Sequence, residues 1–228
     1  MPNLGIWELI LVMYRLYKDS WESNLQIFLS AKALLLIFLF STTSSLRAIT
    51  QTDVQHKQKY KEVKYPTPNY DHNKVNYPQG VILHHTAEPT IERSLCVLTS
   101  LKKKVGTHVV IDTDGTRYVM AKPEVAAYHA GLSVLDGKEG CNYFTIGIEF
   151  QGNTLEKPLT NDQINSAIEY LLPIIKKYNI PIRNVVTHEM VRQAYKKKHP
   201  NKKCSGKVDI TQTEYKRFMK SLKKAYEY

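Results

Sequence analysis

Cysteine is scarce in this chain of 228 residues, with Cys96, Cys141 and Cys204 the whole complement. An odd count excludes a framework in which every thiol is paired and leaves at least one as a reactive group or a ligand. Long apolar runs are missing as well. The most apolar stretch, Ala33 to Phe40, falls short of the roughly 20 residues a helix needs to cross a bilayer. Acidic residues are in deficit, 21 against 32 Lys and Arg, for a formal net charge of +11. That balance, concentrated in Lys196, Lys197, Lys198, Lys202, Lys203 and Lys207, favours anionic partners such as acidic lipid or an acidic wall polymer. Nucleic acid is not expected, because no stacked-aromatic or recognition-helix pattern accompanies the charge. A helical metalloprotease is also excluded: His188-Glu189-Met190-Val191-Arg192 carries arginine where that motif needs its second histidine.

What is present begins with a segment that has the order of a secretory signal: Lys32, the apolar Ala33 to Phe40, then small residues from Ser41 to Ala48. Leu4 to Met13 is apolar too, so the segment reads either as a signal whose true start lies downstream, at Met13 for instance, or as an uncleaved anchor associated with a membrane. A buried helix of the domain is the third reading. No cysteine lies near Ala48, which argues against a lipoprotein anchor. The expected location is therefore outside the cytoplasm, periplasmic or secreted, and cytoplasmic if the segment is not a working signal. From Ile49 to Asn76 the chain is polar and holds Pro66 and Pro68, the composition of a linker. Residues 1–48 then form an extension, 49–76 a linker and 77–228 one domain of ordinary size.

The domain reads as alternating strands and helices. Val81-Ile82-Leu83, entered through Tyr77-Pro78-Gln79-Gly80, is a buried strand closed by His84-His85-Thr86. Glu88-Pro89-Thr90 starts a helix with Ile91, Leu95, Leu98 and Leu101 at helical spacing, running to about Lys103. Thr107 to Ile111 and Arg117 to Met120 flank the turn Asp112-Thr113-Asp114-Gly115 as a hairpin. Thr145 to Phe150 alternates, with Ile146, Ile148 and Phe150 on one face and Gly147 and Glu149 on the other. Thr160-Asn161-Asp162-Gln163 is a capping box for a long helix that Pro173 should kink or split. Val185-Val186-Thr187-His188 repeats the strand-then-histidine grammar, an irregular basic loop follows, and Thr213 to Tyr228 closes the chain as a helix with Phe218, Leu222 and Tyr226 on one side. The fold class expected is α/β, a central mixed sheet flanked by helices.

A histidine at the end of a buried strand is held by the sheet and faces its rim, where a scaffold presents ligands and acid/base groups. His84, His188 and Cys204 would supply the three protein ligands of a catalytic zinc site. A carboxylate in a central strand, Glu149, is costly to bury unless something uses it.

Val81 to Ala87, Tyr128-His129-Ala130-Gly131, Cys141 to Glu149, Val185 to His188 and Lys202 to Gly206 occur in that order. Together they resemble the zinc-dependent N-acetylmuramoyl-L-alanine amidases, which share a fold with phage amidases and peptidoglycan recognition proteins. The wording is most similar to the 1,6-anhydro-muropeptide amidases, and it spans about Tyr77 to Ile210. The resemblance implies that His84, His188 and Cys204 bind Zn2+. It implies that Glu149 activates water and that Lys202, two positions before the thiolate, stabilises the oxyanion. His85 and His129 either line the substrate groove or pack beside it, and Asn142 joins them as a candidate substrate-binding residue. The implied reaction cuts the amide between N-acetylmuramic acid and L-alanine of peptidoglycan or muropeptides. The alternative is a module of the same fold that binds muropeptide without cleaving it.

The chain departs from the family pattern between His188 and Cys204, where Arg192 to Asn201 lengthen the interval and leave His199 or Asp209 as substitute third ligands. Ser205 stands where the family has proline, and the anhydro branch more often carries aspartate than cysteine as third ligand. Thr107 occupies the position of a phage tyrosine, so Glu149 would carry the base role alone.

Overall fold

The computed structural model describes residues 59–204 and 209–227, together with Leu11, Met13, Tyr14, Arg15 and Lys18. The signal-like segment and the first part of the expected linker lie outside the described residues. The chain divides into two units, residues 1–57 and 58–228. In the first unit the described residues are helical and exposed. Among the described residues no helix is long and apolar enough to cross a membrane.

The second unit is built on a six-stranded mixed sheet. Its strands are β1 (Glu62–Lys64), β3 (Gly80–His85), β4 (Val109–Ile111), β5 (Arg117–Val119), β9 (Thr145–Phe150) and β10 (Val185–Thr187), in the spatial order β1-β5-β4-β9-β3-β10. Only the β4–β5 hairpin is antiparallel; β1 with β5, β4 with β9, β9 with β3 and β3 with β10 run parallel. Two small antiparallel pairs stand apart: β2 (Tyr70–Val75) with β6 (Val125–Ala127), and β7 (Val134–Leu135) with β8 (Lys138–Glu139). The α/β class with a central mixed sheet and flanking helices is as the sequence indicates.

Period-two alternation gives the sheet two unlike faces. Val81, Leu83, Val109, Ile111, Ile146, Ile148 and Phe150 point to one side. There they meet Ile164, Ala167, Ile168, Leu171 and Ile175 of α2 (Asn161–Tyr178) and Phe218 and Leu222 of α4 (Gln212–Tyr226). Ile146, Ile148 and Phe150 are fully buried, worth about 2 kcal/mol each in apolar transfer. The opposite face carries two smaller clusters. One gathers Ile82, Ala130, Phe144, Val186 and Val191, and the other packs Leu95 and Leu98 of α1 (Ile91–Thr99) on Val110 and Met120.

Several local readings hold in detail. Thr90 caps α1 by accepting from the Arg93 N–H, and Thr160 with Gln163 makes the reciprocal capping box of α2. Gly115, with φ 85°, closes the β4–β5 turn, and a Cβ there would lie 2.5 Å from the Tyr60 ring.

Other readings are corrected. The segment taken as linker is structured from Tyr60 onward. β1 extends the central sheet, the Tyr60 hydroxyl donates to Asp162 Oδ1 at 2.9 Å, and Asn69 Nδ2 donates to the carbonyls of Leu98, Ser100 and Val105. Its polar composition misled because β1 is an edge strand and β2 is largely exposed, so neither needs an apolar face. Pro173 does not split α2, whose buried stripe continues on both sides of it through Leu171, Ile174 and Ile175. The region after His188 is not an irregular loop but α3 (His188–Lys198), capped by Thr187 and anchored by buried Val191 and Tyr195. Lys196, Lys197 and Lys198 fall in its last turn, where cations meet the partial negative charge of the carbonyl end. Tyr226, expected on the buried side of α4, is 44% exposed.

Candidate metal centre and cleft

The parallel strands β3 and β10 lie side by side in register, Leu83 opposite Thr187, so their terminal histidines emerge together. His84 is the fifth residue of β3, on the face opposite the α2–α4 core, and His188 is the first residue of α3. Their ring centroids are 4.9 Å apart. The third arm comes from the stretch of chain just before α4: Asp209 is buried, with Oδ2 2.7 Å from His188 Nδ1 and Oδ1 3.7 Å from His84 Nδ1. Ligand atoms of His84, His188 and Asp209 all lie within 4.8 Å of one another. Asp209 is fixed in place by its neighbours in sequence, since Ile210 is buried and the Thr211 N–H donates to Thr154 Oγ1.

Burial by itself would raise the Asp209 carboxyl, but hydrogen bonds and charge from His188 and His84 outweigh it and hold the group well below the usual carboxylate range. Asp209 Oδ1 is buried without a hydrogen-bond partner. A desolvated carboxylate oxygen facing two imidazoles leaves room in the electrostatics for a cation, and two histidines with one carboxylate are a known donor set of catalytic zinc. The residues therefore fit a divalent metal.

This geometry puts Asp209, not Cys204, beside the two histidines. Cys204 is half-buried, its thiol 4.0 Å from the Lys202 carbonyl, and it is not part of the group. His199 is also elsewhere, its Nε2 3.0 Å from Glu139 Oε1. Lys202 does not line the cleft; its ammonium lies 3.3 Å from the Tyr195 hydroxyl. The inserted residues explain the shift: they form the second half of α3, which carries Cys204 and Lys202 away while the chain returns to the metal-facing histidines only at Asp209. Asp209 was legible, beside His199, as a substitute through the lengthened interval after His188, but not as first choice.

The group lies in a cleft of about 460 Å³, lined also by Ser94, Val97 and Leu98 of α1 and by Tyr128, Gly131 and Asn142. Glu149 reaches the same cleft. It is the register partner of His84 on the adjacent parallel strand and is 8% exposed. Lys104 is the cation among the described lining residues.

The three residues expected near substrate divide. His85 alternates to the other face of β3, is 1% exposed, and its Nδ1 accepts from the Thr154 N–H at 3.1 Å, so it is a packed structural histidine outside the cleft. His129 does line the cleft, with Nδ1 3.3 Å from His84 Nε2 and Nε2 3.3 Å from Thr145 Oγ1. Burial, followed by the neighbouring imidazoles, drives its pKa well below the ordinary histidine value and keeps it neutral. Asn142 lines the cleft while its Oδ1 accepts from the backbone N–H groups of His129 and Ala130 at 3.1 and 2.7 Å. The remaining thiols are both free: Cys96 is exposed on α1, and burial pushes Cys141 up to about 11.

Residues 74–207 match the family model described as N-acetylmuramoyl-L-alanine amidase. Among curated proteins, the chain is similar to the 1,6-anhydro-N-acetylmuramyl-L-alanine amidase of Haemophilus influenzae. That match is 40% identical over 77 residues and covers 33% of this chain and 40% of the relative. It is also similar to the N-acetylmuramoyl-L-alanine amidase AmiD of Escherichia coli, 31% identical over 124 residues, covering 47% of this chain and 44% of that one. The chain thus spans less than half the length of these relatives. Among solved structures, it resembles the catalytic domain of PlyG with a TM-score of 0.55 at 19% identity, covering 73% of this chain and 95% of that one. It likewise resembles the amidase LysC of Clostridium intestinale with a TM-score of 0.51 at 24% identity, covering 72% and 97%. At these identities the structural likenesses establish the fold.

Proposed function

The chain belongs to the family of N-acetylmuramoyl-L-alanine amidases, and on that premise we propose that it hydrolyses the amide between N-acetylmuramic acid, including its 1,6-anhydro form, and L-alanine of peptidoglycan or muropeptides, with Zn2+ held by His84, His188 and Asp209. The observation that carries this reading is the convergence of those three side chains in a cleft that also holds Glu149. Zinc, when bound, would supply the Lewis acidity that polarises a carbonyl and acidifies water. Glu149 is positioned to take a proton from the attacking water and return it to the leaving amine, so that L-alanine departs neutral. Asp209 and the two histidines hold their places through β3, β10 and the α4 cap, elements rigid enough to keep the water and the carbonyl aligned.

With Asp209 as third ligand, the lysine two positions before it is Lys207, which lies outside the described residues. By that spacing Lys207, rather than Lys202, would steady the developing oxyanion. The Lys32–Ala48 segment supports an exported enzyme acting on the wall or on fragments shed from it.

The test is mass spectrometry of products from anhydro-muropeptide and from whole sacculi, using the full chain with zinc, with a chelator, and with zinc restored. Release of free peptide beginning with L-alanine, lost on chelation and regained with zinc, is expected. Retention of muropeptide without turnover by the zinc-loaded protein would replace the amidase with a binding module.

A further inference from the structure

Apart from the metal-facing residues and Glu149, two charged side chains line the cleft, and they stand off opposite ends of α1. Glu88 precedes the helix and is engaged with Arg93, its Oε2 3.5 Å from Nε. Lys104 follows the helix, and among the described residues no carboxylate lies within ion-pair distance of it. Its ammonium is therefore available to whatever enters the cleft.

The turn that carries Lys104 is tied down. The Lys103 and Lys104 N–H groups both donate to the Ser100 carbonyl, at 3.1 and 3.3 Å, and Lys104 takes the left-handed conformation with φ 51°. A lysine rarely adopts it, so the surroundings must hold it there. Asn69, 3% exposed, does so through its Nδ2, which donates to the carbonyls of Ser100 and Val105 on either side of Lys104, at 3.1 and 2.7 Å. Gly106 permits the approach, since a Cβ there would lie 2.6 Å from the Asn69 carbonyl oxygen. The Gly106 N–H donates in turn to the Tyr128 carbonyl at 3.0 Å, one residue ahead of His129, whose Nδ1 is 3.3 Å from His84 Nε2. The turn is thereby braced against the segment that touches His84.

We propose that Lys104 is a specificity-determining residue, pairing with a free carboxylate of the stem peptide just past L-alanine and so favouring an acidic stem over one in which that carboxyl is an amide. The inference rests on the amidase reading for the identity of the substrate. In an N-acetylmuramyl peptide the muramyl carboxyl is consumed in the scissile amide, so the sugar side brings no charge to the cleft, whereas the stem does. A glutamate joined onward through its γ-carboxyl leaves its α-carboxylate free one residue beyond L-alanine, roughly 3.5 Å of chain. A cation held on one wall then selects the acidic stem and also fixes which way round the substrate lies.

The experiment compares the zinc-loaded full chain with Lys104→Met, Lys104→Arg and Lys103→Met on two anhydro-muropeptides, one with the stem L-Ala-γ-D-Glu-L-Lys and one in which the glutamate α-carboxyl is a carboxamide. Lys104→Met should raise KM for the acidic compound by about 3- to 10-fold, between the worth of an exposed ion pair and that of a hydrogen bond to a charged group. Its kcat should stay within about twofold, as the loss of uniform binding does, and its KM for the amide should not move. Lys104→Arg should keep the preference. Lys103→Met removes the same charge from the same turn outside the cleft and should change neither KM, which separates a contact from a loss of net charge. An unchanged KM for the acidic compound in Lys104→Met would overturn the proposal, as would an equal rise on both compounds or the same rise in Lys103→Met. Absence of turnover in the wild type would sink the amidase reading alone: calorimetric affinities for the two compounds then make the same comparison, and failure of the wild type to prefer the acidic one would overturn the role of Lys104 as well.

Discussion

His188 Nδ1 and Asp209 Oδ2 meet at 2.7 Å, joining the first residue of α3 to the chain just ahead of α4. This contact makes Asp209 the third corner of the group that could hold a metal, and it separates two residues that look equivalent in the sequence. Asp209→Ala should abolish stoichiometric zinc and lower turnover on the order of a thousandfold, since Lewis-acid stabilisation is worth several kcal/mol and each 1.4 kcal/mol is about a factor of ten. Cys204→Ser should leave both unchanged within about twofold, the range of an ordinary surface substitution. Metal analysis beside a muropeptide assay checks the pair; a zinc-free Cys204→Ser protein would return the ligand to sulfur.

Glu149 stands opposite His84 in the β3–β9 register and makes no part of the three-residue donor group. Glu149→Gln should therefore keep zinc while turnover falls by about 10²- to 10⁴-fold, the range for a lost general acid–base group. Near-normal rates would remove Glu149 from that role.

Lys202 is engaged with Tyr195 at the end of α3 and does not line the cleft. Lys202→Ala should leave turnover within about twofold. Lys207→Ala should cost about 100-fold in kcat with zinc affinity retained, as the loss of one oxyanion donor does. Steady-state kinetics of the two variants, side by side, would expose an inverted assignment directly.

Stability should depend on the neutral state of His108. Burial, opposed by its bond to the Val125 carbonyl, lowers its pKa from 6.5 to about 4. The folded form therefore binds the proton less readily than the unfolded form, so the contribution is complete above pH 6.5 and is lost as the pH falls toward 4. At its fullest this amounts to about 3 kcal/mol, because each tenfold loss of proton affinity on folding is worth about 1.4 kcal/mol. Melting curves of metal-free wild type and His108→Gln from neutral to acid pH should converge as the pH drops; parallel curves would show that His108 does not set the acid limit.

Much of the site was readable in advance because it depends on near neighbours. Alternation places Glu149 opposite Ile148 on β9, and β-branched runs closed by histidine mark the ends of β3 and β10. The caps at Thr90 and Thr160 need only residues three positions away. His85 shows the limit of reading a histidine pair without its pleat: one step along β3 moves it to the α2–α4 side, against Thr154.

What the sequence determined, then, was the class of fold and the two histidines, since period-two and helical spacing act over a few residues and survive any tertiary arrangement. The tertiary structure alone decided that Asp209 rather than Cys204 meets them and that Thr145 and His129 stand behind His84. Those outcomes turn on where α3 releases the chain and on which strands become neighbours, and contacts between residues as far apart in sequence as His84 and Asp209 leave no local periodicity to read.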